Sequence, residues 1–482
     1  MKHILTLFVL FICTSALAQT PPEPRFKTGL MFDDEQYNAV PMQSKFAGSK
    51  FNELPLVVSL KKWCPHPGDQ GKIGSCVGWS SCYGALSMMY AQRDKITDKN
   101  LITANAFSGL YVYNQVKKND ISCDGGTMFP LLLDVLKREG SCHHSEFDVK
   151  SCSVQPPEPL KQKARPNAIK DYQALFQTTD ETNLKVLKTK QSLAEGKPVV
   201  VGVSIKYNFL DLNKTNPVWD PKSGLAFSAG GHAMVVIGYD EGKQAFELLN
   251  SWGTKWGNDG YGWIKYEDYG TYCKYGFQLF LNEDGRKVKG ETLAGDFIFQ
   301  YLPKGGGLNF LPAEVERNED EMYTTARKDW PVGQLFQVIA KNKAKDQYMY
   351  VFSIDAKGKA NVHFPRNKLN TKNFGFNETP LVSVTNAEII IPNPESALSI
   401  GQAGKDILIV LYAKKEIEDF DEKVSAFELL EDTPVRDQLN THFNQRFIDP
   451  KKVDYYPHTM GFTAVVKDNE IVPILLEVQS VD

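Results

Sequence analysis

The chain has 482 residues, 42% of them hydrophobic, an ordinary share for a globular protein and more length than one typical domain uses. The net charge of −3 excludes a basic nucleic-acid footprint and a strongly acidic tail, so no nucleic-acid partner is expected. Two or three domains are expected from the length.

The N-terminus has the pattern of an export signal. Lys2 and His3 precede an apolar stretch from Ile4 to Cys13, and Ala16-Leu17-Ala18 fits the small-x-small cleavage rule. This predicts a signal peptide over 1–18 and an exported mature chain, periplasmic or extracellular. The apolar stretch is too short to span a bilayer, and no later run is long enough, so no transmembrane segment is expected. Cys13 lies inside the apolar core of the signal and follows bulky Ile12, which argues against a lipoprotein cysteine. Residues 19–55 are polar, rich in Pro and Lys, and weakly periodic; they read as an N-terminal extension or short pro-segment.

Helices are predicted next. Val77, Trp79, Tyr83, Leu86 and Tyr90 recur at helical spacing, predicting a helix from Ser75 to about Arg93. Pro130 to Arg138 and residues 182–194 give two more. The character then changes to β-branched runs: 198–203, Met234 to Ile237, and Phe246 to Leu249. Helices first and strands later predict an α+β architecture with two lobes over 56–285. Gly305-Gly306-Gly307 and the charges running to Glu321 predict a linker over 286–319. Beyond it, Leu335 to Ile339, Tyr348 to Ile354, Ala387 to Ile391 and Ile407 to Tyr412 read as strands, with a hairpin turn at Asp355–Gly358. A smaller all-β accessory domain is expected over 320–482, a binding or docking module of unknown ligand.

Four separated motifs carry the chemistry. Gln70-Gly71-Lys72-Ile73-Gly74-Ser75-Cys76 comes first, then Cys123-Asp124-Gly125-Gly126, then Gly231-His232-Ala233, then Asn250-Ser251-Trp252-Gly253. A thiol, an imidazole and an amide in this order are the parts of a cysteine-nucleophile site, because a thiolate needs a base and the base needs an orienting group. The set resembles the papain-like cysteine peptidases over about 56–285, and the wording Trp63-Cys64-Pro65 through Asp69-Gln70-Gly71 looks more like bacterial members. The resemblance implies a helical lobe and a β-barrel lobe with the cleft between them. It implies peptide or protein substrates and no metal or cofactor.

The resemblance further implies Cys76 as nucleophile, His232 as acid and base, Asn250 as its orienting partner and Gln70 as an oxyanion donor. Trp252 would cover the His232–Asn250 bond. Gly125 and Gly126 would let a substrate strand approach, with Thr127, Met128 and Gly231 near the pocket for the residue before the scissile one. A helix N-terminus and an imidazolium beside Cys76 would hold it as a thiolate at neutral pH. The chain also departs from the family. Ile73 stands where a cysteine is usual, so the usual partner of Cys123 is missing, and Val77-Gly78 replaces the common Trp-Ala. Setting aside Cys13 and Cys76, six cysteines remain in an exported chain, which favours disulfides without choosing among 15 full pairings. The leading expectation is an exported endopeptidase working through a thioester. The alternatives are a catalytically silent binding protein and a transpeptidase or amidase on the same scaffold.

Overall fold

The computed structural model describes residues 25–43, 54–117, 122–223, 227–282, 291–305, 309–368, 370–371, 375–430, 433–467 and 469–482. The expected signal peptide lies outside the described residues. No helix among them is long and apolar enough to cross a membrane.

The cysteine-bearing helix runs through three segments without a break: Cys76–Gly78, a π-helical stretch Trp79–Leu86, and Ser87–Arg93. Wide π turns of this kind are uncommon and frequently sit at functional sites. The stretch is buried along its whole length, because it threads between the other helices and the sheet. Phe129–Glu139 and Thr182–Ala194 are the two further helices the periodicity predicts.

Among the described residues the strands form three sheets. The first carries Val199–Lys206 and Ser228–Asp240 at its centre, antiparallel, with Val203 opposite His232. Ala245–Leu249 pairs on the far side of Ser228–Asp240 and delivers the chain to Asn250. Ile169–Ala174 is an edge strand, paired with Cys273–Leu281. The side chains between this sheet and the helices form one continuous core, from Leu30 to Leu279.

The second and third sheets lie in the C-terminal region and pack around two further cores. The expected strands appear there as Leu335–Asn342, Gln347–Ile354, Glu388–Ile391 and Gly404–Ala413. Two expectations need correction. The stretch expected as a linker contains Glu291–Tyr301, an inner strand paired with Leu335–Asn342 on one side and Met460–Val466 on the other. Leu293, Phe297 and Phe299 alternate into the core ahead of the glycine run that suggested a linker. The region is β-rich rather than purely β: it also holds the short helices Phe420–Ser425 and Val435–His442.

The disulfide expectation is met by one pair. Cys123 pairs with Cys152, whereas Cys64, Cys82, Cys142 and Cys273 are buried free thiols, as is Cys76. Cys123 has therefore found a partner that the missing cysteine at position 73 does not supply.

Candidate active site

Cys76 is the first residue of its helix and is fully buried. His232 sits on the strand Ser228–Asp240 and Asn250 follows the adjacent strand. Their side chains meet: His232 Nε2 lies 2.7 Å from Asn250 Oδ1. That oxygen also accepts from the Ser251 N–H at 2.8 Å, so it is the acceptor and the imidazole N–H donates. The other ring nitrogen, Nδ1, is buried without a hydrogen-bond partner. The neutral ring thus presents an unused lone pair. The backbone of Ala233, the next residue, hydrogen-bonds to the Cys76 sulfur, which puts the sulfur beside the histidine strand.

Trp252 stacks on His232 with ring centroids 4.2 Å apart and planes 22° from parallel. It shields the His232–Asn250 bond from water, where such a bond is stronger. Gln70 is held from three directions. Its N–H reaches the Ser251 carbonyl at 2.9 Å, its Oε1 accepts from Ser251 Oγ at 2.7 Å, and its Nε2 donates to the Ile73 carbonyl at 2.9 Å. Ser251 belongs to the Asn250–Gly253 motif, where its residue type gave no sign of this supporting role.

The cleft is occupied by the chain itself. The segment Phe26–Met31 lies across it as an added strand. Leu30 bridges Gly231 on one wall and Thr127 on the other. The Leu30 N–H donates to the Gly231 carbonyl at 3.1 Å, Met31 N–H to the Thr127 carbonyl at 3.0 Å, and Thr127 N–H to the Gly29 carbonyl at 2.9 Å. The Lys27 carbonyl accepts from Gln70 Nε2 at 3.1 Å and from Trp252 Nε1 at 2.9 Å. Phe26 stacks on Trp252, and Lys27 pairs with Asp124 on the cleft rim. The backbone passes so close that a Cβ on Gly126 would lie 2.2 Å from the Gly29 carbonyl oxygen. Gly125 is exposed on the same loop, and Met128 is half-buried at the N-cap of Phe129–Glu139.

Burial of the site shifts both protonation equilibria. Burial pushes the Cys76 thiol up to about 12, against the smaller opposing pull of hydrogen bonds from Ala233, Val77, its own amide and Gly29. Burial also pulls His232 down to about 4, with the Asn250 bond opposing. Both shifts favour the uncharged pair, thiol and neutral imidazole. In the covered site, burial thus opposes the thiolate–imidazolium pair expected from the motif.

Residues 60–278 match the model of the papain family cysteine protease. This stretch is similar to the papain family cysteine proteases. The chain is 29% identical over 253 residues to an uncharacterized peptidase C1-like protein of Acanthamoeba polyphaga mimivirus, covering 51% of this chain and 73% of that protein. It is 26% identical to cathepsin S of Bos taurus over 194 residues, 40% of this chain and 54% of cathepsin S. Among solved structures, xylellain, a cysteine protease from Xylella fastidiosa, aligns at 22% identity and TM-score 0.44, covering 55% of this chain and all of that one. The matched residues take in most of the first sheet and its helices, and the C-terminal sheets lie outside them.

Proposed function

We propose that this chain is an exported cysteine endopeptidase held in a self-covered form, with Phe26–Met31 as part of a pro-segment. The observation that carries this reading is the buried His232 ring, bonded through Nε2 to Asn250 with Nδ1 unpartnered. An orphaned buried acceptor is costly and is retained where it has a task. Here the task is to take the Cys76 proton.

Once the cleft opens, the Cys76 Sγ–H proton passes to His232 Nδ1 and the sulfur attacks the substrate carbonyl carbon. The carbonyl becomes an oxyanion, with Gln70 Nε2 and the Cys76 N–H as donors; removing one such donor typically costs about 2.7–4 kcal/mol of transition-state stabilisation. The tetrahedral adduct collapses, the C–N bond breaks, and His232 gives its proton to the leaving amine. Water, deprotonated by His232, then splits the thioester and restores the thiol. Asn250 keeps the ring oriented through both halves. The signal-like N-terminus and the disulfide support export. The protease boundaries proposed are 56–285, with the C-terminal β region as an accessory unit.

The test compares the mature chain with a form lacking residues 19–31, which keeps the anchored helix Asp34–Ala39. Iodoacetamide or an epoxide probe is expected to label Cys76 selectively in the shortened form, together with casein hydrolysis. Cys76→Ala abolishes both, and His232→Ala slows the labelling. Slow, even labelling of all free thiols without hydrolysis overturns the reading in favour of a silent binding protein. Products carrying an added amine would assign a transpeptidase instead.

A further inference from the structure

The segment that covers the cleft is gripped at its far end by the C-terminal β region. After the cleft strand, the chain forms the six-residue helix Asp34–Ala39, capped by Asp33, and reaches Met42. Met42 is inserted between the two parts of the molecule. It bridges Ala174, at the end of the protease domain's edge strand, and Glu378 in the C-terminal region. The Ala174 N–H donates to the Pro41 carbonyl at 3.0 Å. On the other side, Met42 N–H donates to the Asn377 carbonyl at 2.7 Å, and Thr379 N–H donates to the Met42 carbonyl at 2.9 Å. Asn377 Nδ2 adds a bond to the Ala39 carbonyl at 3.1 Å, and Gln177 Nε2 of the protease domain reaches the Gly375 carbonyl at 3.0 Å. Phe376 packs against the protease core.

The gripping loop is built independently of what it grips. Glu378 has a fully buried carboxylate that accepts from Arg366 Nε at 2.8 Å and from the Arg366 N–H at 2.9 Å, and it also bonds Arg366 Nη2. Arg366 Nη1 is committed to the Pro392 carbonyl. Breaking such a buried pair is costly, so the loop is a preformed surface. The held segment is the opposite case. A helix of six residues is too short to persist alone in water. Tyr37 anchors the helix in the protease core, and the grip at Met42 adds a second tether that raises the effective concentration of the cleft strand at the cleft.

We propose that the loop 375–379 of the C-terminal β region is the docking surface for the N-terminal segment, and that this grip keeps Phe26–Met31 in the protease cleft. The inference rests on the reading of Cys76 as nucleophile. The test measures iodoacetamide labelling of Cys76 in the mature full chain carrying Asn377→Ala or Thr379→Pro, the second of which deletes the N–H that bonds Met42. Labelling is expected to rise at least threefold for Asn377→Ala and at least tenfold for Thr379→Pro. In the form lacking residues 19–31 the same substitutions leave the rate within twofold. Asn377→Ala retains the loop backbone and decides the matter where Thr379→Pro does not fold. Parent-rate labelling in the folded full-chain variants, with fast labelling of the shortened form, overturns the grip alone. A shortened form whose Cys76 stays unreactive overturns the nucleophile reading and the grip with it.

Discussion

At the residue scale, the covered site couples proton binding to the cover. His232 is held near 4 while buried, and an exposed histidine titrates near 6.5. Between those values an open form whose Cys76 is still a thiol and whose imidazole reaches water binds one proton more than the covered form. Acid therefore shifts the balance toward opening, by up to about tenfold per pH unit for a single group. The stability that the neutral ring lends to the covered form is complete above about pH 6.5, declines as the pH falls, and is exhausted below about 4. In the covered form Cys76 stays a neutral thiol across this window. Protection factors of the Leu30 and Met31 amides, whose bonds hold the cleft strand, are expected to fall between pH 6.5 and 4. Flat protection over that range would refute the coupling. The motif exposed Gln70, Cys76, His232 and Asn250 because side-chain chemistry is written in residue type. It could not reveal the cover, whose bonds are made by the Lys27 carbonyl and the Leu30 and Met31 amides, atoms every such residue carries.

At the scale of elements, the legible parts are those with a strong period. The helix from Cys76 to Arg93 and the strands of the first sheet bury one face or both, and burial prints a repeat. Elements that the structure holds by their neighbours were not legible. The helix Asp34–Ala39 is six residues long, announced only by Asp33 at the N-cap and acidic Asp34 and Glu35 in its first turn. The strand Glu291–Tyr301 was hidden by the glycine run that follows it. Cys152 was one of many possible partners for Cys123, and only the fold selects it. The cleft strand itself yields a prediction. Gly29 passes the cysteine loop so closely that an added Cβ would stand 1.9 Å from the Gly74 carbonyl oxygen, a backbone atom. Gly29→Ala is therefore expected to expel the strand from the full chain, raising Cys76 labelling about tenfold or more. The fold is spared, because the substitution touches only this crossing. Labelling at the parent rate would show that the crossing is looser than the contact implies.

For the whole molecule, the matched stretch and the C-terminal region have cores of their own, joined where Phe376 packs on the first core and Phe280 enters a C-terminal one, and they also meet through polar contacts. Lys137 Nζ lies 2.9 Å from Asp171 Oδ1 and 3.0 Å from Glu416 Oε2, joining a protease helix and edge strand to the C-terminal region. Tyr348 OH donates to Asp171 Oδ2 at 3.1 Å, and Lys170 Nζ to the Asp346 carbonyl at 2.7 Å. This junction ties the edge strand, whose Ala174 also bonds Pro41, to the C-terminal region, so its strength bears on the cover as well as on stability. Removing the shared ammonium leaves two carboxylates facing each other, one of them mostly buried. A fully buried pair broken this way costs about 3–5 kcal/mol and an exposed one up to about 1 kcal/mol; with Lys137 and Glu416 partly exposed, Lys137→Ala should cost about 1–2 kcal/mol. Burial already raises the Glu416 carboxyl, and Asp171 raises it further. Without Lys137 the repulsion is relieved by protonating Glu416, so the variant's deficit should shrink as the pH falls into the carboxylate range. Urea melts of parent and variant at pH 7 and pH 4.5 read this directly. A deficit that is unchanged at the lower pH would mean that lost packing of the lysine stem, rather than unpaired charge, is what weakens the junction.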